Sequence, residues 1–361
     1  MKKLSRITVQ MIGGANVASI LLMLFIGHAD MIPPESFPRL SNIGLLFPAM
    51  IAINFFFLVL WVVIKPRYVI IPLLGFIICY GPVRRYMPIN IPHNPPEDCI
   101  KVLSYNVWYF AGWEDRSKPN AILEYIKEQE ADIVCLQESA ENETGSAQVD
   151  SILGPVYQYK DTLMYNSDCL TLFSKYPILS HERIHYVSKG NMTAAFKVRI
   201  KGREVIVVNN HLETTGLTLE EKDKFKALVK GELKTDTATR TSKWLISHLG
   251  KQTKKRAAEA EAVARYIAYH SGTPMIVCGD FNDSPISYAH RTIGKGLTDC
   301  YVSTGNGPGI SYHKSGMYVR IDNIFCTDDF EPYSCYVDNK IGKSDHYPII
   351  CWLKMKQSDK N

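Results

Sequence analysis

Six short apolar segments of the sequence are bounded by polar side chains of the types that take part in catalysis. The segments read LSYN, VCLQE, VIVVNNH, MIVCGDFN, RIDNIF and SDHYPI. Their polar positions are Asn106, Gln137, Glu138, His211, Asp280, Asn282, Asp322, Ser344, Asp345 and His346. Strand ends that meet at one rim of a sheet are where sites are usually built, so we expect these side chains to converge.

The set contains the functional groups needed to hydrolyse a phosphoester with a divalent cation. Oxygen-rich ligands without cysteine suit Mg²⁺ or Mn²⁺, and such a cation neutralises anionic oxygens that would otherwise repel an attacking water. The two imidazoles, of His211 and His346, can transfer protons near neutral pH. Taken singly, an aspartate at a strand end is more often a turn or cap residue, so only the complete set favours catalysis.

The segments that must position these groups alternate between strand and helix patterns. Apolar or alternating runs predict strands at 100–107, 132–138, 169–174, 193–200, 204–212, 274–280, 320–326, 333–338 and 347–354. Helical spacing predicts helices at 119–129 and 257–269, and Lys201-Gly202-Arg203 predicts a hairpin turn. Many strands with few helices predict an α+β sandwich with mixed sheets.

A basic segment without strand signals lies between His211 and Ala257. Residues 217–256 carry 11 Lys/Arg and 5 Asp/Glu, a net charge of +6. Apolar residues at helical spacing predict two amphipathic helices, in an insertion at about 216–256. The simplest interpretation is a solvated cap on the sandwich; the alternative is a surface that meets anionic lipid headgroups or a phosphate substrate.

The first 87 residues predict a membrane segment. Residues 7–26 and 43–64 are uncharged runs of 20 and 22 residues, long enough to cross a bilayer. A third uncharged run, 68–83, has 16 residues and is interrupted by a proline and a glycine. This third run could instead be re-entrant or interfacial, and the first could be a signal peptide cleaved near residue 29. A Pro-rich linker at 88–98, expected to be an extended spacer, precedes the domain at 99–361.

We therefore expect an integral membrane protein of a bacterial-type inner or plasma membrane. Positive charge favours the cytoplasmic side, which puts the basic residues before the first run and those at 65–67 inside. Three spans then leave the C-terminal domain on the outer side, and two spans leave it in the cytoplasm. Arg84 and Arg85 argue mildly for the second outcome.

Composition excludes several classes of protein. A chain that is 46% hydrophobic and 21% charged is neither disordered nor fibrous. Residues 99–361 carry 33 Lys/Arg and 32 Asp/Glu, so the charge of this part does not indicate nucleic-acid binding. Nine cysteines without a C-x-x-C pair predict neither a zinc site nor a disulfide framework.

The ordered motifs resemble those of the endonuclease/exonuclease/phosphatase superfamily, which includes deoxyribonuclease I and neutral sphingomyelinases. LSYNVW, LQES, GDFND, RIDNIF and SDHYPI carry the similarity, over about residues 99–354. The resemblance implies a deoxyribonuclease I-like four-layer α/β sandwich, here preceded by N-terminal transmembrane helices. It also implies metal-dependent hydrolysis of a phosphoester.

The resemblance implies a metal site and its neighbours. Glu138 would be the main ligand of Mg²⁺ or Mn²⁺, Asn106 its neighbour at the metal or phosphate, and Asp345 a further acid. Three residues flank the motifs and are candidates for supporting contacts: Gln137, Arg320 and Ser344.

The resemblance also implies the catalytic roles. Asp280 would orient or deprotonate the attacking water, and Asn282 would hold the phosphate. His211 would be the general acid, and His346, polarised by Asp322, would contact the phosphoryl group.

Three functions are open at this point. The first is a membrane-anchored, Mg²⁺-dependent phosphoesterase that hydrolyses a phosphodiester or phosphomonoester, with a lipid headgroup as one candidate substrate. The second is a membrane-anchored endonuclease or exonuclease acting on DNA or RNA, served by the basic insertion. The third, a non-catalytic scaffold, is disfavoured because every matched polar residue is present. The expected partners are the bilayer and the phosphoester; no obligate protein partner is indicated.

Overall fold

Two six-stranded sheets form the centre of the chain after residue 99. The computed structural model describes residues 6–113, 119–141 and 144–357. Its strands are β1 (Ile100–Asn106), β2 (Ile133–Gln137), β3 (Tyr159–Tyr165), β4 (Asp168–Ser174), β5 (Ile178–Ile184), β6 (Met192–Ile200), β7 (Arg203–His211), β8 (Met275–Asp280), β9 (Thr298–Asp299), β10 (Asp322–Cys326), β11 (Phe330–Val337) and β12 (Ile349–Met355). The order is β11-β12-β1-β2-β4-β3 in the first sheet and β5-β6-β7-β8-β10-β9 in the second.

Helices flank the sheets and form the N-terminal part of the chain. They are α1 (Arg6–Gly27), α2 (Phe47–Ile64), α3 (Ile70–Ile78), α4 (Tyr80–Tyr86), α5 (Ala121–Gln129), α6 (Ser146–Leu153), α7 (Leu219–Val229), α8 (Thr235–Tyr269), α9 (Tyr288–Ile293) and α10 (Cys300–Thr304).

The sheets and helices stack in four layers. Both sheets are mixed, because β1–β2 and β7–β8 pair in parallel while their outer neighbours pair antiparallel. One apolar core lies between the two sheets, a second between the first sheet and α5 and α6, and a third between the second sheet and α8 and α9. The predicted mixed sheets and four-layer α/β sandwich are confirmed.

Helix α8 corrects the prediction for the basic insertion. We expected a helix in the insertion to end before a separate helix at 257–269, but α8 runs without a break for 35 residues. Gly250 lies within this helix and does not interrupt it. A Cβ at this position would lie 2.8 Å from the Pro38 carbonyl oxygen, so the glycine allows the helix to pack closely against the N-terminal segment. The boundary expected at about residue 256 therefore falls inside one helix.

The Pro-rich linker is bound to the sandwich along its length. The Asn90 side-chain amide donates to the Val302 carbonyl oxygen at 3.1 Å, and the Ser334 hydroxyl donates to the His93 carbonyl oxygen at 2.7 Å. The spacer predicted at 88–98 is therefore docked on the domain, because its polar groups find partners there.

The N-terminal helices pack as a bundle. Among the described residues, two helical segments, Arg6–Met31 and Ser41–Ile64, are long and apolar enough to cross a membrane. The third predicted run forms α3 and α4, which are bent by 70° relative to each other and would make a third span if counted together. Trp61 donates to the Asn16 side chain at 3.0 Å, and Ser19 donates to the Asn54 side chain at 2.9 Å. Such buried polar contacts hold apolar helices together.

One end of this bundle is fixed to the sandwich. Asp30 is buried and binds Arg85 at 2.5 Å and Arg291, at the sandwich, at 3.3 Å. Thr253 of α8 donates to the Asn42 side chain at 2.7 Å. Ile286 packs in one apolar cluster with residues of α1 and α2. Because a buried carboxylate without its cations is costly, these contacts set the position of the domain on the bundle.

Candidate active site

The strand register brings the predicted residues to one edge of the sandwich. In the second sheet, Asp280 lies opposite His211 on one side and opposite Asp322 on the other. In the first sheet, Asn106 lies opposite Gln137, directly before Glu138. The two sheets meet at this edge through the Asn106 side-chain amide.

Asn106 connects the two groups of acids. Its Nδ2 donates to Glu138 Oε1 and to Asp280 Oδ2, at 3.2 Å each. The hydroxyl of buried Ser344 donates to the Asn106 carbonyl oxygen at 2.7 Å and accepts the His346 backbone N–H at 3.2 Å. Ser344 therefore positions the end of β1 and the segment before β12 relative to each other.

Asp280 is the centre of the cluster. Its Oδ1 accepts the Asn282 backbone N–H at 2.8 Å, and its Oδ2 accepts the Asn282 side-chain amide at 3.2 Å. The Nε2 atoms of His346 and His211 lie 3.6 and 3.9 Å from the same oxygen. Burial raises the pKa of Asp280 to about 6, although the two nearby imidazoles lower it. This carboxyl group can therefore accept a proton near neutral pH.

Two histidine–aspartate pairs flank Asp280. His346 Nδ1 lies 2.8 Å from Asp322 Oδ2, and His211 Nδ1 lies 3.0 Å from Asp168 Oδ1. Burial lowers the pKa of each imidazole, but the carboxylates outweigh it and raise both pKa values to about 10. Each carboxylate orients its imidazole so that Nε2 faces the cluster, and His211 Nε2 has no hydrogen-bond partner.

Asp168 was not predicted from the sequence. It is the first residue of β4, which runs antiparallel to β2, and its Oδ2 also accepts the Met192 backbone N–H at 3.1 Å. The last residues of parallel strands lie at this edge, and an antiparallel neighbour brings its first residue to the same edge. Asp322, the first residue of β10, reaches the edge in the same way.

The backbone around the site is held in uncommon conformations. Glu138 and Asn282 both have φ of 51°. Trp108 to Ala111, which follow β1, have φ between 43° and 57°, and the Tyr109 N–H donates to the Glu138 carbonyl oxygen at 2.8 Å. Left-handed conformations of residues other than glycine cost roughly 1 kcal/mol or more each and cluster at functional sites. Here they turn the chain sharply after β1, β2 and β8.

The donor set fits a hard dication. Among the described residues, the ligand atoms of Asp280, Asp322 and His346 lie within 4.8 Å of one another. Asp322 Oδ1 is buried without a partner. His346 is already bonded to Asp322, so we regard this group as a hydrogen-bonded pair beside the cation rather than its main ligands. The Glu138 side chain, which is 23% exposed, faces the open side of the cluster and is the carboxylate best placed for a solvated cation.

Three predicted residues lie outside the cluster or at its rim. Gln137 Nε2 donates to the Asn209 side chain at 2.6 Å, which ties the two sheets together. Arg320 is buried, donates to the Arg85 and Pro308 carbonyl oxygens and lies over the Tyr301 ring. Its guanidinium therefore serves the contact with the N-terminal segment. Asp345 is partly exposed beside His346.

Comparison with known proteins identifies the family. The model of the Endonuclease/Exonuclease/phosphatase family matches residues 103–346. The chain belongs to this family. A second model, described as a domain of unknown function (DUF8431), matches residues 9–86. No curated protein matches the chain significantly. Family membership supports hydrolysis of a phosphoester, as nuclease or phosphatase.

Solved structures of this family share the fold. The human Nocturnin catalytic domain with bound sulfate is 16% identical, with a TM-score of 0.52, covering 74% of this chain and 96% of that one. Truncated TDP2 from Caenorhabditis elegans is 18% identical, with a TM-score of 0.50, covering 71% and 97%. An endonuclease/exonuclease/phosphatase from Beutenbergia cavernae is 16% identical, with a TM-score of 0.50, covering 72% of each chain. These likenesses support the sandwich fold of this family member.

Proposed function

We propose that this family member is a membrane-anchored, Mg²⁺-dependent phosphoesterase that hydrolyses a phosphodiester at the bilayer surface. One observation carries the proposal: Glu138, Asn106 and Asp280 are joined across the two sheets, with two imidazoles directed at the same carboxylate. The buried His211 Nε2 has no hydrogen-bond partner among the described residues and lies 3.7 Å from Glu138 Oε1 and 3.9 Å from Asp280 Oδ2, so it is available to a substrate at the cluster.

In the proposed mechanism, each catalytic residue has a separate role. Asp280 accepts a proton from a water whose oxygen attacks phosphorus, while the bond from phosphorus to the leaving oxygen breaks. His211, an imidazolium at neutral pH, donates its Nε2 proton to that oxygen. His346 Nε2 holds a non-bridging oxygen. Asn282 positions the Asp280 carboxylate, because its side-chain amide donates to the Leu212 carbonyl oxygen and to Asp280. Water and a phosphodiester thus yield an alcohol and a phosphomonoester. The proton on Asp280 returns to solvent and His211 takes up a proton from solvent, which restores both groups.

A divalent cation completes the site. Glu138 and Asn106, with Asp345 as a further acid, would hold Mg²⁺, and Mn²⁺ has the same ligand preference. When bound, the cation supplies positive charge that stabilises the phosphoryl oxygens.

The position of the site favours a lipid phosphodiester. Ile286 packs in the cluster at the end of α1 and α2, and it follows Asn282 by four residues. Four residues span at most about 14 Å. The polar layer of a bilayer is about 5–8 Å thick on each side. Asn282 therefore lies at most about 14 Å from Ile286 at the end of the bundle, near the level at which the headgroups of a surrounding bilayer would lie.

Because of the basic insertion, a nuclease is the second candidate function. Residues 217–256 carry a net charge of +6, and phosphate contacts by Lys and Arg dominate nucleic-acid binding. The nearly neutral net charge of residues 99–361 argues against a nuclease.

A substrate panel with the full-length protein in detergent distinguishes these candidates. We expect release of phosphorylated headgroups from phospholipid mixed micelles, and no nicking of plasmid DNA. Chelation by EDTA should lower the rate at least about 100-fold, and added Mg²⁺ should restore it. Rapid cleavage of DNA with inert micelles would establish the nuclease instead, and turnover in EDTA would contradict metal dependence.

We further propose that the catalytic domain lies on the outer side of the membrane. The contacts of Asn16 with Trp61 and of Gly27 with Phe47 indicate that α1 and α2 run antiparallel. Gly75 lies against Ile20 and Pro82 against Gly27, which indicates that α3 and α4 run in the direction of α1. The domain then follows at the end opposite Lys65 and Arg67. Positive charge favours the cytoplasmic side. Of the two arginines at the opposite end, Arg85 is paired with buried Asp30, so we place that end outside.

Reporter fusions test this orientation. Alkaline phosphatase, which is active only outside the cytoplasm, should be active when fused to the full-length chain, and a fluorescent protein at the same position should be dark. Fusions after Arg67 should give the reverse pattern. Fluorescence from the full-length fusion would contradict the proposed orientation.

A further inference from the structure

The first helix of the basic insertion lies beside the catalytic cluster. Helix α7 begins with a capping box in which Thr218 accepts the Glu221 N–H and Glu221 accepts the Thr218 N–H. One turn into this helix, Lys222 Nζ lies 3.1 Å from the Tyr312 hydroxyl. Lys226 passes over Gly316, because a Cβ placed on that glycine would lie 3.4 Å from Lys226 Cγ. The helix therefore packs on the segment 311–319.

Tyr312 is fixed rigidly to the catalytic residues. Its ring packs edge-on against the His346 imidazole, with 5.1 Å between centroids. The neighbouring Ser311 hydroxyl accepts the Asp322 backbone N–H at 3.0 Å, so the same segment holds both members of the His346–Asp322 pair. Only 7% of Tyr312 is exposed. The Tyr312 hydroxyl is consequently held at a defined position near His346.

Lys222 places a positive charge beside the Tyr312 hydroxyl, without a carboxylate partner in the part of the chain that the structure describes. Among the described residues, Lys222 forms no ion pair with a carboxylate, whereas Lys224 on the same helix binds Glu220 at 2.7 Å. Its side chain is partly buried, and its ammonium also lies 5.6 Å from the Tyr312 ring centroid. A cation held beside a phosphate site without a counter-ion is suited to binding an anion.

We propose that Lys222 and Tyr312 form a subsite for a second anionic group of the substrate, next to the phosphate that reacts. This inference rests on the proposed function, and it names the substrate class: phosphodiesters that carry a further phosphate or carboxylate on the side of α7. The residues of the sandwich do not supply this charge; the insertion does. The subsite thus gives the insertion a role in substrate selection.

Binding of two matched probes tests the subsite. Calorimetry with the full-length protein in detergent and Mg²⁺ would compare butyl phosphate with butanediol bisphosphate, which differ by one phosphate. Lys222→Gln should lower the affinity for the bisphosphate about tenfold, which corresponds to the loss of one charge-assisted hydrogen bond. The affinity for butyl phosphate should change less than about twofold. Lys222→Arg should retain most of the affinity, and Tyr312→Phe, which keeps the ring against His346, should lose part of it.

The controls separate this subsite from a structural contact. Lys224→Gln removes the same charge from the same helix and should leave both affinities unchanged. No side chain from Glu220 to Val229 of α7 is buried, so the variants at Lys222 and Lys224 do not disturb the core. Equal effects of Lys222→Gln on both probes, or no effect on either, would overturn the subsite. A wild-type protein that binds neither probe would overturn the proposed function as well.

Discussion

Replacing Asp280 with asparagine is expected to lower kcat by about 10³-fold, at the centre of the range for loss of a general base. Asparagine has nearly the same shape, so the change removes the charge and the proton acceptor while leaving the packing. The carboxylate has four partners in the cluster, among them Asn106 and Asn282. Measurement of kcat and KM with a soluble phosphodiester checks the result, and a KM close to the wild-type value would show that binding survives.

A companion variant and a control make this test specific. Glu138→Gln should lose activity to a similar extent, because an amide is a weaker ligand for a hard cation than a carboxylate. Asp161→Asn alters an acid on β3 that pairs with exposed His181, outside the cluster, and should leave kcat unchanged. Melting temperatures within a few degrees of wild type would exclude unfolding. Full activity of both Asp280→Asn and Glu138→Gln would contradict the proposed mechanism.

The central strands could be predicted because their sequences carry the pattern of buried sheet. The runs at 100–107, 132–138, 204–212 and 274–280 match β1, β2, β7 and β8 within one or two residues. All four are buried on both faces over most of their length, which requires continuous apolar sequence.

Two strands at sheet edges, β3 and β5, could not be predicted in the same way. β3 (YKDTLMY) and β5 (ILSHERI) each lie at the edge of a sheet and are partly exposed. Exposed positions tolerate charged residues, so the apolar signal disappears. Among the short helices, α6, α9 and α10 have five to eight residues, too few turns for a clear helical period.

For the site, the sequence identified which residues are polar in apolar surroundings but not where each side chain points. Gln137 is the last residue of β2, and its side chain lies between the sheets. Glu138 follows with a φ of 51°, and this turn places its side chain at the cluster. Arg320 shares a motif with Asp322, yet its guanidinium reaches the N-terminal segment. Such contacts with a distant part of the chain leave no local signal.

The second large effect concerns the His211–Asp168 pair. His211→Gln should lower kcat by about 10²–10⁴-fold, because glutamine cannot transfer a proton to the leaving oxygen. The matched control is His181→Gln, which breaks a similar contact with Asp161 at 2.6 Å on the exposed surface and should retain full activity.

Asp168→Asn is expected to change the pH dependence of the same step. Burial lowers the pKa of His211, and the charge of Asp168 with its hydrogen bond is the main influence that raises it to about 10. Without that charge the imidazolium loses its proton at lower pH, so the alkaline limb of kcat/KM should move toward neutral pH. The decrease in kcat/KM relative to wild type should then be small near pH 6 and increase as the pH rises. A uniform loss at every pH would show that Asp168 only holds the fold, and an unchanged profile would remove His211 as the proton donor.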